Sequence, residues 1–181
     1  FRFMVFAVGK RTKVYKFFSF IVKVKKSDSE AIGRVRNEGI WLKRLNEYGI
    51  GPKLYYFNDK FLVYRFVKGL EILDFFKKAI LEEKKEVMME VLRQCRVLDK
   101  MKVDKFEMHH PMKHILVSDK VVMIDFERCK YGEKPKNVTQ FCQFMNRCYK
   151  KVNDFELKKI LKKYKKSYSD ESFNEIVGLF S

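Results

Sequence analysis

At 181 residues, 46% of them hydrophobic and 18 of them Phe, the chain is long enough for one domain or two small lobes around a real core. Its 40 basic and 23 acidic residues give a net charge of +17, which favours anionic partners: nucleotides, nucleic acid or acidic proteins. A solvated lysine surface, as in heat-adapted or AT-biased organisms, accounts for the same number. No apolar stretch reaches the roughly 18–20 residues of a membrane span. Phe1–Val8 lacks the charged region and long apolar run of a signal peptide, so a cytoplasmic protein is expected. With Phe and not Met as the first residue, further N-terminal sequence is expected. Cys95, Cys129, Cys142 and Cys148 are too scattered for a metal knuckle and read as reduced structural thiols, with a zinc site on Cys129 as the outside alternative.

In chain order, β-formers cluster at Phe1–Val8, Val14–Phe18 and Phe20–Val24, with Gly9 to Lys13 between the first two. This predicts three antiparallel strands. Ser27-Asp28-Ser29-Glu30 is a helix-start signal, and Ile32, Val35, Ile40, Leu42 and Leu45 give a broken helical stripe up to Tyr48. Gly49-Ile50-Gly51-Pro52 ends that helix. Strands are predicted at Lys53–Phe57 and Phe61–Phe66, then a connector at Val67-Lys68-Gly69. Helices are predicted at Ile72–Ala79, Glu82–Met101, Val138–Lys150, Asp154–Ser167 and Asp170–Phe180.

A different pattern interrupts the helical half. His109, His110 and His114 fall within six residues, followed by the apolar triplet Ile115-Leu116-Val117, a turn at Ser118-Asp119-Lys120, and a second apolar run ending in Asp125. This predicts a β-hairpin with a histidine-rich loop before it and a carboxylate after it, side chains suited to metal or phosphate.

The order and spacing of several short motifs over roughly residues 5–150 resemble the protein-kinase-like superfamily. Ala7-Val8-Gly9-Lys10-Arg11-Thr12-Lys13-Val14 stands in the frame of the nucleotide-covering Gly-x-Gly-x-x-Gly-x-Val loop. Only Gly9 keeps a glycine position there, and Lys10, Arg11 and Lys13 offer charge instead. Phe20-Ile21-Val22-Lys23 resembles the strand whose lysine binds nucleotide phosphates and pairs with a helix glutamate, here Glu38. Lys25 shares a strand face with Lys23, so alternation does not choose between them. Phe61–Gly69 resembles the hinge strand that holds adenine, with Tyr64 and Phe66 as candidate cofactor-binding positions.

Aligning Asp125-Phe126-Glu127 with the family's Asp-Phe-Gly puts His114 at the metal-binding asparagine and His109 at the catalytic aspartate. Glu107 stays open as a rival base. A histidine at the asparagine position has a parallel in lipopolysaccharide-type sugar kinases. Met108–His114 and Ile124–Cys129 are similar to phrases in short archaeal proteins described as predicted Ser/Thr protein kinases, as is the run Pro135–Phe141.

The resemblance implies an α+β, compact, two-lobed protein-kinase-like fold. A β-rich N-lobe with one helix would span residues 1–66, and a mostly helical C-lobe residues 70–181. It implies ATP and a divalent metal, Mg²⁺ or Mn²⁺, as cofactors. Phosphoryl transfer to a Ser/Thr hydroxyl would use Lys23, Glu38, Asp125 and His114, with His109 as base. Two rivals stand beside it. One is a catalytically impaired pseudokinase, a nucleotide-gated binding module with a protein partner. The other is a small RNA-associated ATPase using the basic surface of the Asp154–Lys166 helix.

Overall fold

The structure, a computed structural model, describes residues 4–8, 12–26, 33–149 and 152–180. Gly9, Lys10 and Arg11 of the predicted nucleotide-covering loop lie outside the described residues, as do Ser27–Glu30 and Ile32 of the predicted helix start. The chain is α+β and divides into two compact units: Phe1–Gly69 with Val122–Cys129, and Leu70–Val121 with Lys130–Ser181. No helix among the described residues is long and apolar enough to cross a membrane. No disulfide joins the four cysteines; Cys95, Cys129 and Cys142 are buried thiols and Cys148 is exposed.

The first unit is built on a five-stranded antiparallel sheet. Its strands are β1 (Met4–Val8), β2 (Thr12–Phe17), β3 (Phe20–Lys25), β4 (Leu54–Phe57) and β5 (Phe61–Arg65), in the order β1-β2-β3-β5-β4. Val, Phe and Tyr fill these strands, as a pleated half-buried surface favours. Alternation on β3 buries Ile21 and Lys23 and leaves Phe20 exposed, so a charged side chain sits on the inward face.

Helix α1 (Arg34–Leu45) covers that face. Its buried residues are Val35, Glu38, Gly39, Trp41, Leu42 and Leu45, while Ile40 is only half-buried. The apolar stripe was broken in the sequence because a carboxylate and a glycine occupy its centre. At Gly39 an added Cβ would overlap the Phe57 ring of β4, so glycine sets how closely helix and sheet approach. Gly51, at φ 81°, ends the following loop; a Cβ there would meet Leu42 and Phe126. Asn46 holds the same loop, donating to Ile50 O and Pro52 O and accepting from Leu54 N.

The second unit carries α2 (Ile72–Lys78), α3 (Leu81–Lys100), α4 (Asn137–Tyr149), α5 (Asp154–Ser167) and α6 (Asp170–Phe180). Val91, Leu92, Cys95 and Leu98 of α3 are fully buried, with Phe141, Cys142 and Met145 of α4 and Tyr164 of α5. Short strands the sequence pattern missed, β6 (Leu70–Glu71), β7 (Val103–Asp104) and β10 (Lys130–Tyr131), pair as β6 with β8 (Ile115–Val117) and as β7 with β10. A two-residue strand has no periodicity to detect. The turn after β8 closes with Ser118 N donating to Lys120 O, and β9 (Val121–Met123) follows. On α5, Lys158, Lys159, Lys162, Lys165 and Lys166 are exposed while Leu157, Leu161 and Tyr164 are buried, an amphipathic helix with a basic outer face.

Asp99, near the end of α3, anchors this unit. It accepts from the Asn137 side chain at 2.8 Å and from the Tyr164 hydroxyl at 2.9 Å, and Asn137 in turn accepts from Lys105 N. Burial pushes the Asp99 carboxyl up to about 6, against the downward pull of its bonds to Asn137 and Tyr164.

Two outcomes are expected. Gly39→Ala gains helix propensity of about 1 kcal/mol but overpacks against Phe57, so a net loss of about 1–2 kcal/mol should appear in urea denaturation. Equal or greater stability would contradict that packing. Because the folded Asp99 titrates above an unfolded carboxylate, its contribution is full below the unfolded value and is lost as pH rises through about 6. Unfolding free energy should therefore fall across roughly pH 4 to 6 by on the order of 2–3 kcal/mol from this group, a slope Asp99→Asn removes.

Candidate functional site

Strand β3, helix α1 and residues 125–129 meet within the first unit. Lys23 Nζ donates to Glu38 Oε2 at 2.7 Å and to Asp125 Oδ1 at 3.1 Å, and Glu127 Oε2 lies 3.4 Å away. Side-chain exposure grades outward: 2% for Glu38, 9% for Lys23, 16% for Glu127 and 36% for Asp125. The buried end is an ion pair and the open end is a carboxylate facing solvent. Arg34 Nη1 takes the other oxygen of Glu127 at 3.0 Å.

Local structure explains why these groups converge. Helix α1 binds the 125–129 segment by its side chains. Glu38 Oε1 accepts from Phe126 N at 3.4 Å, Asn37 Nδ2 donates to Glu127 O and Cys129 O, and Trp41 Nε1 donates to Cys129 O. Phe126 is fully buried beside Gly51. Asp125 has φ 63°, a left-handed conformation that Asp tolerates better than most residues, and the anchored residues Phe126–Cys129 follow it directly.

Charge and burial oppose each other at this site. Burial alone pulls the Lys23 ammonium down, but Glu38, Asp125 and Glu127 outweigh it and hold the group well above the ordinary lysine value. Burial pushes the Glu38 carboxyl up; Lys23 pulls it back, while Asp125 and Glu127 add to the rise. Three carboxylates compete for one ammonium. Glu38, Asp125 and Glu127 each bring an oxygen within 4.8 Å of the others. Hard oxygen donors so gathered fit Mg²⁺ or Mn²⁺, and Asp125, the most exposed, is the one open to a ligand.

Lys25, the alternative strand lysine, donates its backbone N–H to Lys60 O; Lys23 is the one that meets Glu38. Tyr64 pairs with Ile21 in the sheet, and its hydroxyl is raised by burial and then by Glu38, which places it by the cluster. Phe66 lies beyond the end of β5. Its N–H donates to Ser19 O, and its ring packs on Phe6 with the Lys16 ammonium 3.7 Å from its centre. Gly9 is outside the described residues.

His109 and His114 belong to the second unit. His109, exposed at the end of the 3-10 turn Phe106–His109, has Nδ1 2.8 Å from Phe106 O. A carbonyl only accepts, so Nδ1 carries a proton, and the tautomer that makes this bond has its lone pair on Nε2. Arg147 donates to His109 O at 2.6 Å, and the His110 ring lies 4.6 Å from that of His109. Glu107, the rival base, is buried with its carboxylate 3.4 Å from wholly buried Lys105. His114 is half-buried, its backbone N–H on Pro111 O.

Arg34, Asn37 and Trp41 carry no functional signal in the sequence motifs, and Glu127, which the sequence offers as the replacement of a glycine and a partner for Arg128, meets Lys23 and Arg34. The available signal was Asn37 and Trp41 four residues apart around Glu38, one of them the chain's single tryptophan.

No protein-family model matches the chain, and no curated protein sequence matches it. Among solved structures the chain is similar to WbdD, crystallised with the kinase inhibitor LY294002, at a TM-score of 0.66 and 15% identity. The match covers 96% of this chain and 43% of the WbdD chain, so this chain spans less than half of that protein's length. At that identity the likeness is one of fold.

Replacing Lys23 by Met would leave the carboxylates without their shared cation. A loss of about 3–5 kcal/mol near neutral pH is expected. It should shrink at acidic pH, as Glu38, its carboxyl already pushed up by burial, takes a proton. Urea denaturation at both pH values checks this, and an equal loss at both would show that the cluster's charge is not what Lys23 balances.

Proposed function

We propose that the chain is an ATP-binding, kinase-like protein that transfers a phosphoryl group from ATP to a hydroxyl. The observation that carries this reading is the buried Lys23–Glu38 pair with Asp125 on the same ammonium. An ammonium fixed by a buried carboxylate is a preorganised cation for phosphate oxygens. Asp125 would hold a divalent ion, with Glu127 in reach, and the ion when bound would neutralise phosphate charge. Tyr64, beside the cluster, would be a contact for the nucleotide. The sequence frame gives the base role to His109, whose Nε2 is the atom able to accept a hydroxyl proton. A Ser/Thr side chain as acceptor is the finer part of this proposal and rests on the sequence resemblance. The similarity in fold to WbdD, bound to a kinase inhibitor, supports the same class.

One observation favours a second reading, nucleotide binding without turnover. Glu107, the carboxylate closest in sequence to the base position, is buried against Lys105 and so occupied as a counterion. The two readings separate in one experiment. Thermal unfolding with ATP and Mg²⁺ or Mn²⁺ is measured beside release of the γ-phosphate, for the wild type, Asp125→Ala and His109→Ala. Phosphoryl transfer is expected to fall by about 100-fold or more in both variants, and ATP-dependent stabilisation to be lost only in Asp125→Ala. Stabilisation without turnover in the wild type supports the binding module. Turnover that survives Asp125→Ala would overturn the site.

A further inference from the structure

An antiparallel sheet with a helix on one face ordinarily turns polar side chains to water on the other. The first unit departs from that rule. Ile21, Lys23 and Leu62 lie on the inward face, so alternation puts Phe20, Val22 and Val24 of β3, with their partners Arg65, Val63 and Phe61 of β5, on the outer face. Strand β4 adds to it through an irregularity. Leu54 pairs with Tyr64 but Tyr56 with Val63, a bulge that brings the consecutive residues Tyr55 and Tyr56 to the same outer face. The Tyr55 ring packs on Phe20 at 5.2 Å and the Tyr56 ring on Phe61 at 5.5 Å. Phe20 is 36% exposed, Tyr55 47% and Tyr56 53%, and so contiguous an aromatic group at the surface marks a contact face.

Charge selects the partner. Strands β1 to β5 contain no Asp or Glu. Exposed Arg65 lies across from Phe20 and exposed Lys13 across from Val24, and Lys53 Nζ stands 5.6 Å from the centre of the Tyr55 ring. Asp59, in the turn between β4 and β5, is paired with Arg36. A second copy of the chain would set these cations against themselves. Aromatic faces interleaved with cations match the bases and phosphates of an unpaired strand. The neighbouring phenol hydroxyls of Tyr55 and Tyr56 offer partners to a ribose 2′-OH.

We propose that the outer face of the five-stranded sheet binds single-stranded RNA, with bases stacked on Phe20, Tyr55, Tyr56 and Phe61 and phosphates held by Lys13, Lys53 and Arg65. Lys23 lies on the opposite face, so this surface and the nucleotide-binding reading stand or fall separately.

Fluorescence anisotropy of the full chain with an eight-nucleotide RNA of alternating C and A tests this. The comparisons are an abasic ribose-phosphate oligomer of the same length and the matching DNA. Wild type should bind the RNA at least about tenfold more tightly than the abasic oligomer, and more tightly than the DNA. Phe20→Ala and Tyr55→Ala should each weaken RNA binding by about fivefold or more and leave abasic binding unchanged, while Tyr55→Phe keeps the preference for bases. Arg65→Gln should weaken both oligomers and flatten the salt dependence. Lys158→Gln with Lys162→Gln, on the basic face of α5, should weaken both oligomers alike and leave their ratio unchanged. Equal binding of RNA and abasic oligomer would overturn the proposal, leaving only the attraction of a basic protein for phosphates. Loss of the base preference in the α5 variant would overturn it too, and equal binding of the DNA would overturn the assignment to RNA. A concentration-dependent dimer in sedimentation, abolished by Tyr55→Ala, would give the face to a second copy instead. Should Phe20→Ala not fold, the half-exposed Tyr55→Ala and Tyr56→Ala variants decide.

Discussion

An ammonium and a carboxylate buried together, Lys23 against Glu38, set the terms for the first unit. Burying either charge alone would cost several kcal/mol, so each requires the other in place. That requirement fixes the register of β3, because a slip of one residue would turn Lys23 outward. It fixes the rotation of α1, whose core-facing stripe must carry Glu38 and yields an apolar position to do so. It also reaches residues 125–129, since the second oxygen of Glu38 accepts from Phe126 N while Asn37 and Trp41 hold the carbonyls that follow. Strand, helix and segment are mutually determined, and Asp125 is delivered to the open end in a conformation it would not choose unaided.

Much of the architecture was legible because it follows from periodicity. The helices lie within one residue or so of their predicted bounds where apolar spacing and caps were clear, as at Asp154–Ser167, whose N-cap Asn153 accepts from Phe155 N. The family resemblance singles out Lys23, Glu38 and Asp125, and the structure puts Lys23 in contact with both carboxylates. What could not be read was the set of side chains that bond to backbone. Asn37, Trp41 and Asn137 act through carbonyls and amides remote in sequence, and such bonds leave no periodic trace. The α1 stripe was misjudged for a related reason. Hydrophobicity alone ranks Ile40 above Glu38 and Gly39, whereas the core there is chosen by a charge pair and by the closeness of Phe57.

The second unit is organised around a different polar centre. Asp99 gathers Asn137 and Tyr164 and thereby ties α3, α4 and α5 together. The histidine loop belongs to this unit, and its backbone is held by Arg147 on His109 O and by the short turns through Pro111. Within that loop the residue types divide by environment: Glu107 is buried as the counterion of Lys105, and His109 is exposed with a defined tautomer.

The account stands on the claim that Lys23 and Asp125 receive the phosphates and the metal of a nucleotide. A crystal structure of the chain with a non-hydrolysable ATP analogue and Mg²⁺ tests it most directly. The phosphate oxygens should lie within hydrogen-bond distance of Lys23 Nζ with the Glu38 pair retained, and the ion should lie on Asp125. A nucleotide bound elsewhere, with Lys23 still enclosed by its three carboxylates, would contradict the account.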